Sequence, residues 1–174
     1  MAPARVGPIP ASATSDSAPS RLRSRGAPQS RRAAPRTGGA AERGRARVAV
    51  TNRAINLAIR PMSDLAQWGV DDRWTAPLAT LTIGFGDCED YAIAKYVALM
   101  EAGVAAEDVR LIIARDLVRG EGHAVVAVRL DGRWIVLDNR WLALADDREM
   151  RGLIPRFVLD REGVRQFVPV SMPD

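Results

Sequence analysis

Along the chain, hydrophobic and polar positions change their period, and the changes mark out elements. Val50, Ala54, Leu57 and Ala58 share one stripe of a helix predicted over 48–59, which Pro61 stops. Residues 71–77 read as a loop, and Pro77 suits the first turn of a short helix reaching Leu81. After the break Gly84-Phe85-Gly86-Asp87, the helical spacing of Ile93, Tyr96, Val97 and Met100 predicts a helix over 88–102, with Gly103 as its stop. From there the period shortens to two. Residues 109–114 form an apolar β run, and 123–130 and 133–137 alternate on either side of Asp131-Gly132, a strong hairpin signal. Residues 157–159 and 164–168 predict a last hairpin around Arg161-Glu162-Gly163. Helices followed by antiparallel strands make an α+β fold.

Composition divides the chain in two. All nine aromatic residues of the 174 lie between Trp68 and Phe167. Residues 1–50 carry ten Arg against Asp16 and Glu42, a net +8, which leaves −4 for the rest of a chain whose total is +4. The pI of 10.1 therefore describes the N-terminal stretch. Residues 1–46, rich in Ala, Arg, Pro, Ser and Gly, read as a disordered tail, and 47–170 as one folded domain. With no aromatic interleaved in the tail and an acidic domain, no specific nucleic-acid partner is expected. Pro3, Arg5, Pro8, Pro10, Ser15 and Asp16 interrupt every candidate signal-peptide run, so the pattern shows no export signal and a cytoplasmic location stays open. No apolar run approaches the ~18 residues of a membrane span. A single Cys excludes an internal disulfide and a multi-cysteine zinc site. The expected state is a monomer.

Three residues stand out chemically. Cys88 opens a helix, where free N–H groups and partial positive charge favour a thiolate and can hold an oxyanion. The plainer reading is a buried structural cysteine. His123 starts the first hairpin strand and Asp138 follows the second. With a two-residue Asp131-Gly132 loop, Leu130 faces Arg133 and His123 lies opposite Arg140. Asp138 then becomes a diagonal neighbour of His123, about 7–8 Å away at the backbone and within side-chain reach. A carboxylate there fixes the imidazole's tautomer while its other nitrogen faces Cys88. The plainer readings are a strand-end histidine and an Asp-Asn turn.

Asp87, Glu89 and Asp90 surround Cys88, and their charge raises a thiol's pKa against the helix dipole. Either they favour the first helical turn and face solvent, or a hard cation such as calcium takes their oxygens.

Gly86-Asp87-Cys88-Glu89-Asp90-Tyr91-Ala92-Ile93-Ala94-Lys95-Tyr96 resembles the nucleophile motif of the bacterial transglutaminase-like cysteine peptidases. Gly122-His123-Ala124-Val125-Val126 resembles that family's histidine strand, and Val136-Leu137-Asp138-Asn139 its aspartate strand. Asp72-Arg73-Trp74-Thr75-Ala76-Pro77 is similar to the segment ahead of the cysteine loop. The resemblance spans about 48–167. It implies a papain-like core with the nucleophile helix packed on an antiparallel sheet, Cys88 as nucleophile, His123 as base and Asp138 as orienting acid. It also implies a calcium cofactor, held most directly by Asp87 and Glu89 with Asp90 a weaker candidate. The best-known members are periplasmic proteases that clip large surface adhesins and release biofilms, so the resemblance implies export and a protein substrate of that kind. Trp74 reads as a core aromatic, although in related transglutaminases a Trp donates its indole N–H near the oxyanion. The same triad also serves protein-glutamine acyl transfer, and a degenerate copy would serve as a binding module.

Overall fold

The computed structural model describes residues 38–168. Helices come first and an antiparallel sheet follows, as expected; a short helix at 64–68, a two-residue parallel pair at 60–61 and 85–86, and a two-residue strand at 145–146 are additions to the expected elements. Helix α1 (Gly38–Ala58) leads into β1 (Arg60–Pro61), α2 (Asp64–Trp68), α3 (Pro77–Ile83), β2 (Phe85–Gly86) and α4 (Cys88–Glu101). Six strands complete the chain: β3 (Val109–Asp116), β4 (Glu121–Leu130), β5 (Arg133–Leu137), β6 (Ala145–Asp146), β7 (Leu153–Asp160) and β8 (Gly163–Gln166). They form one antiparallel sheet in the order β6-β5-β4-β3-β7-β8. Helix α4 packs on β3 and β4, and α1 on α4 and β4.

Helix α1 begins ten residues before the start predicted at Val48. Residues 38–46, assigned to the tail on composition, are thus helical; Ala41, Glu42, Arg43 and Arg45 are good helix formers. The Arg47 guanidinium donates to the Ala102 carbonyl at 2.9 Å, tying α1 to the end of α4. The remainder of the expected tail, 1–37, lies outside the described residues.

The face of α1 that turns inward is not the one its apolar residues suggested. Val50 and Leu57 are exposed, and Val48, Asn52, Ile55 and Ile59 are buried. Two asparagines explain the rotation. Asn52 Nδ2 donates to the carbonyls of Trp141 and Leu142, and Asn56 Nδ2 to those of Asp138 and Trp141. Inward amides satisfy the loop after β5 and break the hydrophobic stripe.

Helix α4 is buried on most sides: Asp90, Tyr91, Ala92, Ala94, Lys95 and Leu99 are all inside, and of the predicted stripe only Val97 is exposed. Its core partners include Val109, Leu111, Ala124, Val126, Val128 and Leu137. The Tyr91 hydroxyl donates to the Ile59 carbonyl, fixing α4 against the end of α1.

The short parallel pair β1–β2 aims the segment that enters α4. Arg60 N–H donates to the Gly84 carbonyl and Met62 N–H to the Gly86 carbonyl, both at 2.9 Å. Gly84 ends α3 at φ 76°, a conformation costly for any side chain, and lets the chain double back beside β1. Asp131 and Gly132 both have positive φ, 51° and 76°, as a tight two-residue hairpin requires.

Candidate active site

The hairpin register follows the sequence arithmetic: Leu130 pairs with Arg133 and Val126 with Leu137. Asp138 comes directly after β5, at the end of the sheet where β4 begins. His123 Nε2 and Asp138 Oδ1 are 3.0 Å apart, and both residues are buried. Burial alone would favour the protonated acid. Hydrogen bonds from His123 and Arg140 outweigh it and hold the Asp138 carboxyl well below the usual carboxylate range.

Cys88 is the first residue of α4, with Asp87 as N-cap. It packs against the core cluster that contains Ala124, the residue after His123, and the Ala124 backbone N–H favours its thiolate. Its thiol donates to Glu89 Oε2 at 3.1 Å. The expected lowering of the thiol pKa is reversed. Burial, and then the hydrogen bond to Glu89, push it up to about 12, and the Asp87 charge adds to this. A helix N-terminus lowers a thiol's pKa only where burial and neighbouring negative charge do not outweigh the dipole.

The carboxylates around the thiol are buried or half-buried. Asp64, Asp87 and Glu89 each place an oxygen within 4.8 Å of the others. Asp64 is buried at the start of α2, where it accepts the Arg73 N–H through Oδ2. Its Oδ1 and Asp87 Oδ1 are buried without a hydrogen-bond partner. Asp87 makes no side-chain cap bond despite its N-cap position. Burial, Glu89 and Asp64 push the Asp87 carboxyl up to about 7. Three converging carboxylates, two of them with an orphaned oxygen, fit a hard divalent cation. Asp90 lies outside this group, although its Oδ2 is also buried without a partner. Its Oδ1 accepts the Thr75 N–H at 3.0 Å, which pins the 71–77 loop to α4.

The sequence singled out Asp87, Glu89, Cys88, His123 and Asp138, and missed Asp64. Ser63-Asp64-Leu65 is an ordinary helix start, with Ser63 accepting the Ala66 N–H, so nothing in it signals a ligand. Trp74 is 48% exposed, which corrects its reading as a core aromatic. The segment around it is held by the Arg73 and Thr75 backbone instead.

A cysteine at a helix start, laid on an antiparallel sheet that carries an imidazole–carboxylate pair, defines a transglutaminase-like cysteine protease. The chain belongs to the family described as bacterial transglutaminase-like cysteine proteinase (BTLCP), whose sequence model matches residues 23–146. Among solved structures the chain is similar to Legionella pneumophila LapG, at 24% identity over 74% of this chain and 75% of that one, with a TM-score of 0.62. Calcium-bound LapG gives the same figures. EGTA-treated LapG gives 23% identity over 78% and 76%, with a TM-score of 0.64. No curated protein sequence matches the chain. The family match ends at 146, so β7 and β8 lie beyond it. No helix of the described residues is long and apolar enough to cross a membrane.

Proposed function

We propose that this cysteine protease hydrolyses a peptide bond of a protein substrate through an acyl-enzyme, with Cys88 as nucleophile, His123 as base and Asp138 as orienting acid. The observation that supports this most is the His123–Asp138 hydrogen bond beside a helix-opening cysteine. An ionised carboxylate only accepts hydrogen bonds, so Nε2 donates and Nδ1 keeps its lone pair. In this reading Nδ1 takes the Cys88 proton and the thiolate attacks the scissile carbonyl. Free N–H groups at the start of α4 hold the oxyanion. The imidazolium gives its proton to the departing amine. Nδ1 then takes a proton from water, whose oxygen attacks the thioester and releases the new carboxyl end and the thiol.

Asp64, Asp87 and Glu89 are the residues we assign to calcium. The orphaned oxygens of Asp64 and Asp87 support this, as do the convergence of all three carboxylates and the calcium-bound and EGTA-treated forms of LapG. Calcium there would supply positive charge against the carboxylates that, together with burial, keep the thiol protonated. With calcium on Asp87 and Glu89, the Cys88 thiol faces less negative charge when its proton leaves. The family resemblance extends the reading to a large surface adhesin as substrate, cut in the periplasm with release of a biofilm, by a chain acting as a monomer.

The test incubates the chain with N-terminal fragments of surface adhesins from the same cell and reads intact masses. Two products whose masses add to the fragment plus one water are expected with calcium present. Neither is expected after chelation with EGTA, nor from Cys88→Ala or His123→Ala. Cleavage by a folded Cys88→Ala chain refutes the reading, and an amine-linked product redirects it to acyl transfer.

A further inference from the structure

Asp138 is held by more than the histidine. The Arg140 backbone N–H donates to Asp138 Oδ1 at 2.9 Å. The Arg140 guanidinium adds a fork: Nε lies 3.2 Å from Oδ1 and 3.3 Å from Oδ2, and Nη2 lies 3.1 Å from Oδ2. Its third nitrogen, Nη1, turns away and donates to Asp116 Oδ2 at 2.7 Å. Asp116 ends β3 and is itself buried, and its Oδ1 accepts the N–H groups of Val118 and Arg119 at 2.9 and 3.1 Å. One guanidinium thus joins the carboxylate beside His123 to a second carboxylate anchored in the β3–β4 turn.

The charges in this cluster matter as much as its geometry. A guanidinium alone beside Asp138 would hold the carboxylate in place and also cancel its attraction for an imidazolium. Asp116 prevents that. Asp138, Arg140 and Asp116 together carry one net negative charge, and that charge is balanced once His123 is protonated. The other cation facing Asp138 is Lys95 on α4, whose burial holds its amine toward the neutral form. Asp138 therefore keeps an uncancelled charge for His123 while its two oxygens are fixed by five donor contacts, four of them from Arg140.

We propose that Arg140 and Asp116 are positioning residues: Arg140 fixes the Asp138 carboxylate so that His123 is held as the Nε2-protonated tautomer, and Asp116 offsets the Arg140 charge so that the imidazolium stays stabilised. The proposal rests on the triad reading above for its effect on turnover, but not for its effect on the ring. Arginine is suited to the task because its planar fork spans both carboxylate oxygens and leaves a third nitrogen for Asp116, which a lysine ammonium cannot reproduce.

His123 is the only histidine of the chain, so a two-bond proton–nitrogen spectrum of the histidine-labelled full chain, loaded with calcium, reports this ring alone. The wild-type spectrum should show one neutral tautomer, protonated on Nε2. In Arg140→Ala both tautomers should appear, and cleavage of the adhesin fragments should fall about 10- to 100-fold in kcat with KM within about twofold. Arg140→Lys should recover part of both. Asp116→Asn keeps an oxygen for the Val118 and Arg119 N–H groups. It should leave the tautomer fixed while kcat falls about tenfold. A folded Arg140→Ala chain that keeps the wild-type tautomer overturns the proposal; if that variant does not fold, a wild-type tautomer and wild-type kcat in Arg140→Lys do so. Failure of the wild-type chain to cut any fragment counts against the triad reading, and the tautomer still decides the role of Arg140.

Discussion

Lys95 is the sharpest test of the energetics. It sits in the middle of α4, is 1% exposed, and its Nζ has no hydrogen-bond partner among the described residues. The Tyr91 ring centroid lies 5.8 Å from Nζ. Burial lowers the amine from 10.5 to about 7, against the pull of Asp138. Such a displacement corresponds to roughly 5 kcal/mol of stability withheld from the folded state at neutral pH and below. The sign follows from proton counting. Between pH ~7 and ~10.5 the unfolded chain binds the proton and the folded chain does not, so this group's contribution to stability rises with pH across that window. Lys95→Met keeps most of the aliphatic stem and removes the amine, at a cost of about 1 kcal/mol for the lost atom. The expected net gain is roughly 3–4 kcal/mol near pH 7, shrinking to nothing by about pH 10. Urea unfolding of the calcium-loaded chain, wild type and variant, across that range measures it. A Lys95→Met chain that is destabilised near pH 7, or whose gain does not change with pH, refutes the argument.

Three further outcomes are expected. Leu99→Ala, at a fully buried position of α4 facing the sheet core, should lower stability by about 2–5 kcal/mol in urea unfolding. Gly86→Ala would place a methyl 2.7 Å from Asp90 Cβ and Oδ2, so it should cost about 1–3 kcal/mol and slow alkylation of Cys88 by iodoacetamide. Asp64→Asn leaves an acceptor for the Arg73 N–H but removes one charge from the carboxylate cluster. It should therefore raise the calcium concentration needed for thermal stabilisation by about tenfold or more, read by melting temperature across a calcium titration.

Most of the sheet and the His123–Asp138 pairing were legible because a period of two and an Asp-Gly turn fix register without help from elsewhere. The segments that were not legible take their structure from tertiary partners. The β1–β2 pair is two residues on each side and has no periodicity to read. Helix α1 was placed on the wrong face because Asn52 and Asn56 look like surface residues until the carbonyls of residues 138–142 are set against them. Asp64 lies 24 positions before Cys88 and reaches Asp87 and Glu89 only once β1 and β2 are side by side. The thiol's protonation was misjudged for the same reason: the helix dipole is local and could be read from position, whereas the burial that outweighs it comes from the folded core.

The sheet order carries a consequence for how the chain keeps to itself. β7 lies against β3 from Leu153 to Leu159, with a bulge opposite Ile113 and Ala114 where Pro155 is accommodated. Without that strand β3, apolar along most of its length, would present a bare row of amides and carbonyls to solvent, the kind of border along which chains stick together. The outermost strand β8 makes a poor template by contrast. It is four residues long, largely exposed, and held to its hairpin by Arg165 clasped between Asp160 and Glu162. At the opposite border β6 is two residues long and turns at once into a capped helical turn at 147–149. A chain cut at residue 146, where the family match ends, would keep every residue assigned to the site and lose the strand that shields β3, and its first failing would be aggregation.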